Sequence, residues 1–319
     1  MRLLKLVPDN TNIGFVRLRY WAFGITALLT VAALAIVGLR GLNLGVDFVG
    51  GVLIEARFQQ APSLDAVRGD VDRLGVGEAQ LQTFGAPNVV SIRLPLPQTN
   101  DEGATNRLVK NVESAVAAKY PGVAFNRAET VSGKVSGELV RNGLLAVFLA
   151  VLGIAIFSWV RYEWQFGVST FVAIAHDVLM ALGFFALTRL EFDLNIVAAV
   201  LTIIGYSIND KIVIDDRIRE NMRKYRSMDM RALIDLSVNE TLPRTVMTSL
   251  TVLLALAALL IFGGPVLRGF TAAMMLGVVV GTYSSIYVSS SLLITLGLTP
   301  SITPKKATGP AAGAERIGR

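Results

Sequence analysis

The sequence predicts an α-helical polytopic membrane protein: a six-helix transmembrane bundle with one small α+β domain outside the bilayer. Three observations predict this. Of the 319 residues 53% are hydrophobic and only 17% charged, with a mean hydropathy of +0.55; soluble globular chains are rarely so apolar and so poor in charge. The apolar residues are gathered into six long runs, each close to the roughly 20 residues a helix needs to cross. The one long interval without such a run, 40–141, carries alternating strand and helix patterns instead.

The first run, Trp21–Leu39, is expected to be a retained signal anchor. It is long for a signal-peptide core, and Arg40 follows where a small-residue cleavage site would stand. The others are Asn142–Val160, Phe166–Leu187, Asn195–Ile214, Thr245–Phe262 and Phe270–Leu296. The chain divides accordingly into an N-terminal segment 1–20, the first helix 21–39, the outer domain 40–141, helices two to four within 142–214, a basic loop 215–243, helices five and six within 244–297, and a tail 298–319 expected to be disordered.

Within the outer domain, Val52–Phe58 reads as a strand, and Ser63 is placed to cap a helix reaching Leu74. Gln80–Phe84 and Val89–Leu94 flank the turn-prone Gly85-Ala86-Pro87-Asn88. Thr105–Lys119 has helical spacing and ends at Tyr120-Pro121-Gly122, and Val123–Arg127 closes the set. The order strand, helix, strand, strand, helix, strand fits a ferredoxin-like domain, a scaffold that by itself says little about function. In the basic loop Asp229 is a candidate cap for an amphipathic helix with Met230, Leu233, Ile234 and Val238 on one face. A helix lying on the membrane surface is the plainer expectation, and a partner-docking surface the alternative.

Lysine and arginine fix the expected orientation. Arg2, Lys5, Arg17 and Arg19 precede the first run, Arg217, Arg219, Arg223, Lys224, Arg226 and Arg231 follow the fourth, and Lys305, Lys306, Arg316 and Arg319 lie in the tail. With six spans all three groups fall on one side, so both termini are expected in the cytoplasm and the domain outside. The net charge of +6 sits beside the spans, where topology accounts for it without nucleic acid. There is no cysteine, so no disulfide, thiolate metal site or cysteine nucleophile. The single histidine, His176, excludes multi-histidine metal sites and argues against a Ser-His-Asp hydrolase. No enzyme activity, cofactor or metal is expected.

The chemistry-bearing feature is Asn209-Asp210-Lys211 embedded in the run Ile196–Ile214. A charge in lipid costs ~2.5–3.5 kcal/mol on insertion scales, so such groups face a protein interior and mark ion or proton paths. Burial favours the neutral acid and a nearby cation the ionised one, so a carboxylate held between them can load and release a proton. Ser207 and Tyr206 share the Asp210 face, whereas Lys211 pairs more naturally with Asp215 at i+4. The alternative is a static salt-bridge partner near the interface. Arg244, just after Pro243, is expected to open the fifth span, with Thr248 one turn on; Arg244 is either a fixed cation for Asp210 or a flank that snorkels to the headgroups. His176 and Asp177, in the middle of the third span, are either a relay or support for the fourth helix, or else a satisfied interhelical pair. Gly277, Gly281, Ser285 and Ser289 recur every four residues on the sixth span, a pattern that lets helices approach closely. Gly45-Val46-Asp47-Phe48-Val49-Gly50-Gly51, between first span and outer domain, lacks the Lys-Ser/Thr of a phosphate-binding loop.

These residues together resemble the SecD/SecF family of the RND superfamily. The resemblance runs through Gly45, Asp47, Phe48, Gly50 and Gly51 as a Gly-x-Asp-Phe-x-Gly-Gly signature, Ala175-His176-Asp177-Val178, Gly205-Tyr206-Ser207-Ile208-Asn209-Asp210 with Asp216-Arg217-Ile218-Arg219-Glu220-Asn221, Arg244-Thr245 with Thr248-Ser249, and Phe262-Gly263-Gly264-Pro265-Val266-Leu267. The single short outer domain favours the SecF branch, and Lys211 departs from the small hydroxyl residue common there. The resemblance implies an RND-type bundle in the bacterial inner membrane and pairing with SecD. It further implies work with the SecYEG channel, often with YajC, to move an exported unfolded polypeptide by the proton-motive force. It assigns proton coupling to Asp210 with Arg244 and Thr248, and leaves His176, Asp177 and Asn209 as relay or support. The competing expectations are half of an RND-type exporter of lipid or small molecules, or a non-transporting assembly subunit.

Overall fold

A computed structural model describes residues 7–8, 11–97 and 102–299; the tail expected to be disordered lies almost wholly outside them. Six helices among the described residues are long and apolar enough to cross a membrane. In chain order the elements are α1 Arg19–Arg40, the short α2 Val46–Val49, β1 Gly51–Arg57, α3 Leu64–Asp72, β2 Gln80–Phe84, β3 Ala86–Leu94, α4 Glu102–Lys119, β4 Ala124–Val131, α5 Gly133–Arg161, α6 Trp164–Thr188, α7 Leu194–Lys224, α8 Met230–Phe262, α9 Gly264–Tyr283, a π-helical turn Ser284–Ser289 and α10 Ser290–Thr295.

The small domain is the ferredoxin-like sheet that the strand pattern anticipates. Its order is β2-β3-β1-β4 with every neighbour antiparallel. Period-2 alternation sends Val52, Ile54, Ala56, Val90, Ile92 and Leu94 to one face, where Val67, Val71, Val112 and Val116 of α3 and α4 close a core. Ser63 caps α3 as expected, accepting from Ala66 N at 3.4 Å. The opposite face, with Leu53, Glu55, Ser91 and Arg93, is turned toward the bundle.

In the bundle α7 is central, packed by α6, α8, α9 and α5. The small residues of the last span do what their spacing requires: a Cβ on Gly277 would stand 2.3 Å from Ile203 Cγ1, and one on Gly281 3.1 Å from Ser207 Cβ. Gly183 meets α1 in the same way, with Ala33 Cβ 2.6 Å from where its own Cβ would be. The last span is not one regular helix. Its π-helical turn carries Ser284, Ser285 and Ser289, all buried, and Ser290 Oγ donates to Ser285 O at 2.9 Å.

Two expectations are corrected. Pro243 does not open the fifth span but sits inside a continuous 33-residue helix, α8. A proline there leaves the carbonyl of Asn239 without its helical N–H; Thr11 Oγ1 donates to that oxygen at 3.5 Å instead. The amphipathic helix therefore does not lie separately on the membrane. It is the first part of α8, capped by Asp229 as expected, with Leu233, Ile234 and Val238 buried against Ile214, Ile218 and Met222 of α7. That apolar face finds its partner because α7 continues ten residues past Ile214, to Lys224. The N-terminal segment seals the same corner: Ile13 N donates to Asn239 Oδ1 at 2.9 Å and Val16 N to Asp235 Oδ1 at 2.9 Å.

Candidate functional site

The site is built on α7, and Asp210 lies where that helix is pressed between α8 and α9. Its side of the helix follows the apolar stripe Ile196, Ala199, Val200, Ile203, so the stripe that buries the helix also carries the acid inward. Asp210 is 3% exposed, and Oδ2 has no hydrogen-bond partner. Thr282 of α9 and Arg244 of α8 are the groups that act on its carboxylate. A chain of hydroxyls reaches Thr282: Tyr206 Oη donates to Ser249 Oγ at 2.9 Å, and Ser249 Oγ lies 2.9 Å from Thr282 Oγ1. In the sequence Ser249 stands out only as a neighbour of Thr248, and Thr282 carries no signal of its own. Both are small polar residues in apolar helices, a feature that becomes specific once α8 and α9 are known to face Asp210.

Arg244 comes to this neighbourhood but forms no ion pair with Asp210 within 4.0 Å, and its side chain is exposed. Thr248 Oγ1 donates back to Arg244 O at 2.8 Å and is thereby engaged with its own helix. Asn209 is exposed and stands apart from the buried group. Lys211 pairs with Asp215 as its spacing predicts, at 2.8 Å with both side chains 2% exposed, and it also donates to Ser169 Oγ at 3.1 Å.

His176 and Asp177 meet α7 one turn before Asp210, at Ser207. His176 Nδ1 lies 3.1 Å from Asp177 Oδ1. Asp177 Oδ2 accepts from Ser207 at 2.6 Å and from Ser284 of the π-helical turn at 2.9 Å. One carboxylate thus ties α6, α7 and the last span together, while buried His176 Nε2 has no partner. Ser207 shares the helix with Asp210 but serves Asp177. The two acids therefore have separate sets of partners beside α7.

The signature loop reaches the opposite end of the same helix. Gly50 and Gly51 have φ of +75° and +134°, and a Cβ on Gly51 would stand 2.6 Å from Leu94 O. A Cβ on Gly45 would stand 3.0 Å from Glu191 Oε1 and 3.3 Å from Asp193 Cβ, a tight fit. Asp47 Oδ2 accepts from Leu194 N, the first residue of α7, at 2.9 Å, and Asp193 Oδ1 accepts from Ile196 N at 3.1 Å. Two carboxylates at a helix N-terminus satisfy free N–H groups and suit the helix dipole. Phe48 packs on Phe192, ring centroids 5.8 Å apart. In the α6–α7 connection burial pushes the carboxyl of Glu191 above the ordinary range, against the pull of Arg93, and burial does the same to Asp193. Among the described residues no three His, Cys, Asp or Glu side chains converge as a metal site would need.

Comparison with known proteins converges on one family. The family described as "Protein export membrane protein SecD/SecF, C-terminal" matches residues 111–299, and the SecD/SecF GG motif matches residues 35–62. The protein translocase subunit SecF of Rickettsia rickettsii is 40% identical over 291 residues, covering 91% of this chain and 94% of that protein. The Cereibacter sphaeroides SecF is 43% identical over 305 residues, 92% and 93% of the two chains. The crystal structure of SecDF, a translocon-associated membrane protein from Thermus thermophilus, superposes with a TM-score of 0.84 at 35% identity over 91% of this chain. A super-membrane-facing form of SecDF gives 0.65 at the same identity over 90%. This chain spans 39% of each of those SecDF chains. The GG motif spans the loop whose Asp47 bonds the first N–H of α7, and the C-terminal family match covers every helix from α5 onward, so the chain belongs to the SecD/SecF family of protein export membrane proteins.

Proposed function

We propose that this chain is an auxiliary subunit of the bacterial Sec translocase that, paired with a SecD chain, uses the proton-motive force to promote late steps of export through SecYEG, with YajC as a further partner. Its termini then lie in the cytoplasm and its ferredoxin-like domain in the periplasm, the arrangement that the flanking lysines and arginines favour. The observation that carries the reading is Asp210: a buried carboxylate with an open oxygen, beside an arginine that acts on it without closing an ion pair.

A proton arriving at Asp210 removes its charge and with it the attraction for Arg244. Losing the proton restores both. Each state has its own preferred spacing of α7 and α8, so the proton biases their packing. One charge crossing the membrane potential is worth ~2.3 kcal/mol per 100 mV, comparable with the ~1–3 kcal/mol of typical site-to-site coupling. Arg244 supplies the switched attraction, Thr248 fixes the turn that carries it, and the hydroxyls of Tyr206, Ser249 and Thr282 offer polar contacts beside the acid. His176 and Asp177 hold α6 and the last span against α7, so that movement is transmitted instead of dissipated. The role is mechanical, with no bond made or broken in a substrate.

The test is export from vesicles containing the SecD partner, with and without an imposed proton gradient. Asp210→Asn should insert, retain SecD on pull-down and lose the gradient-stimulated component. Normal stimulated export by this variant would overturn the reading. Loss of SecD binding would instead indicate a subunit whose ionisable residues serve assembly.

A further inference from the structure

Helix α7 carries Asp210, yet no covalent link joins it to the outer domain: the chain enters the domain from α1 and leaves it into α5. The domain's hold on the segment that leads into α7 runs instead through a small knot of polar side chains, with Arg93 at its centre. Arg93 points from β3 out of the uncovered sheet face and is 9% exposed. Its Nη1 donates to Leu44 O at 2.6 Å, and its Nη2 donates to Asn43 Oδ1 at 3.1 Å and lies 3.8 Å from Glu191 Oε2. Gln82 of β2 reinforces the same knot. Its Nε2 donates to Glu191 Oε2 at 3.0 Å and its Oε1 accepts from Asn43 Nδ2 at 2.9 Å. Asn43 Nδ2 also reaches Arg189 O at 2.8 Å. One guanidinium therefore joins the sheet to both the segment after α1 and the α6–α7 connection.

The load passes on without a gap. Phe192 N donates to Asn43 O and Gly45 N to Phe192 O, both at 2.8 Å, so the segment after α1 and the α6–α7 connection form a short parallel bridge. One residue further, Asp193 caps α7, and Asp47 bonds its first N–H. A further non-covalent tie on this side, Arg268 Nη1 to Gly85 O at 2.6 Å, reaches α9 and bypasses α7. Arg93 Nε is buried and has no acceptor, so the guanidinium keeps a donor for a second arrangement.

We propose that Arg93 is a positioning residue that transmits displacement between the outer domain and the N-terminal end of α7, and so between that domain and Asp210. The forked guanidinium suits the task, since it grips a carbonyl and an amide in fixed relative directions while attracting the carboxylate, which a single ammonium cannot do. This inference rests on the proton-coupled reading above.

The chain has no cysteine, so reporters can be placed singly. In the full chain with SecD in vesicles, spin labels at Ser114→Cys on α4 and Leu187→Cys on α6, both exposed positions, report the placement of the domain on the bundle. An environment-sensitive label at Met247→Cys reports the bundle near Arg244. An imposed gradient should change both signals in the parent. In Arg93→Ala the bundle signal should persist while the domain distance stops following it, and stimulated export should fall by roughly twofold to thirtyfold, the range for residues that carry coupling without touching either site. Arg93→Lys keeps the charge with less risk to folding and should show a reduced domain response. If both variants keep the parent's domain response, the inference is overturned. If the parent responds at neither position, the proton-coupled reading fails and the inference falls with it.

Discussion

Lys211 Nζ lies 2.8 Å from Asp215 Oδ2 in a place where both side chains are 2% exposed. A buried pair of this kind is replaceable by apolar side chains at little cost, but removing one member strands the other. Lys211→Met alone should destabilise the bundle by about 3–5 kcal/mol, whereas Lys211→Met with Asp215→Leu should recover most of the loss. Thermal unfolding in detergent, followed for the single and double variants, checks this.

Gly277 sits against Ile203 with no room for a methyl group. Gly277→Ala should cost about 1–3 kcal/mol by overpacking. Ile203→Ala should partly restore the Gly277→Ala variant, because the clash is with flexible side-chain carbons and not with backbone. The same melting measurement, run as a double-mutant cycle, gives the coupling.

Asp177 accepts from serines on two other helices. Asp177→Leu leaves the Ser207 hydroxyl buried without an acceptor, a penalty of about 1–3 kcal/mol, while Ser284 Oγ still has Gly281 O at 3.1 Å. Ser207→Ala with Ser284→Ala in the same variant should reduce that penalty. Trypsin resistance of the membrane-embedded fragment ranks the three proteins.

Glu191 and Asp193 both carry carboxyls pushed up by burial. A carboxyl whose pKa is higher in the folded protein adds stability that is fully present below the ordinary carboxylate range and is lost as pH rises through the raised value. The α6–α7 connection should therefore dock more firmly as the medium around it is acidified toward that range. Hydrogen exchange at residues 189–196 should slow at lower pH, after correction for the intrinsic rate. Glu191→Gln should flatten the dependence, leaving the part due to Asp193.

The elements readable from sequence were those with a local signature. Ser63 and Asp229 cap helices because their side chains bond N–H groups a few residues away, and β2 occupies Gln80–Phe84 because alternation and a following glycine turn define it locally. The course of α8 through Pro243 was not legible, since the carbonyl that Pro243 leaves free, that of Asn239, is met by Thr11, 228 positions from it. The π-helical turn was equally hidden, because its serines look like the small-residue stripe they extend. At the candidate site Asp210, Asp177 and the Lys211–Asp215 pair announced themselves by charge in an apolar run. Thr282 and the Arg93 knot did not, for each depends on which strand or helix lies opposite, and spacing along one element carries no such information.

At about 1.5 Å per residue the 31 residues of α7 form a rod some 46 Å long. Asp177 grips this rod through Ser207 near its middle. A rod held at its centre behaves as a rocker: a tilt of about 10° swings either tip by roughly 4 Å in opposite directions, a length set by the helical rise. The tip nearest the small domain would then sweep a hydrogen-bond's span or more while the carboxylate beside Arg244, only one turn from the fulcrum, scarcely shifts.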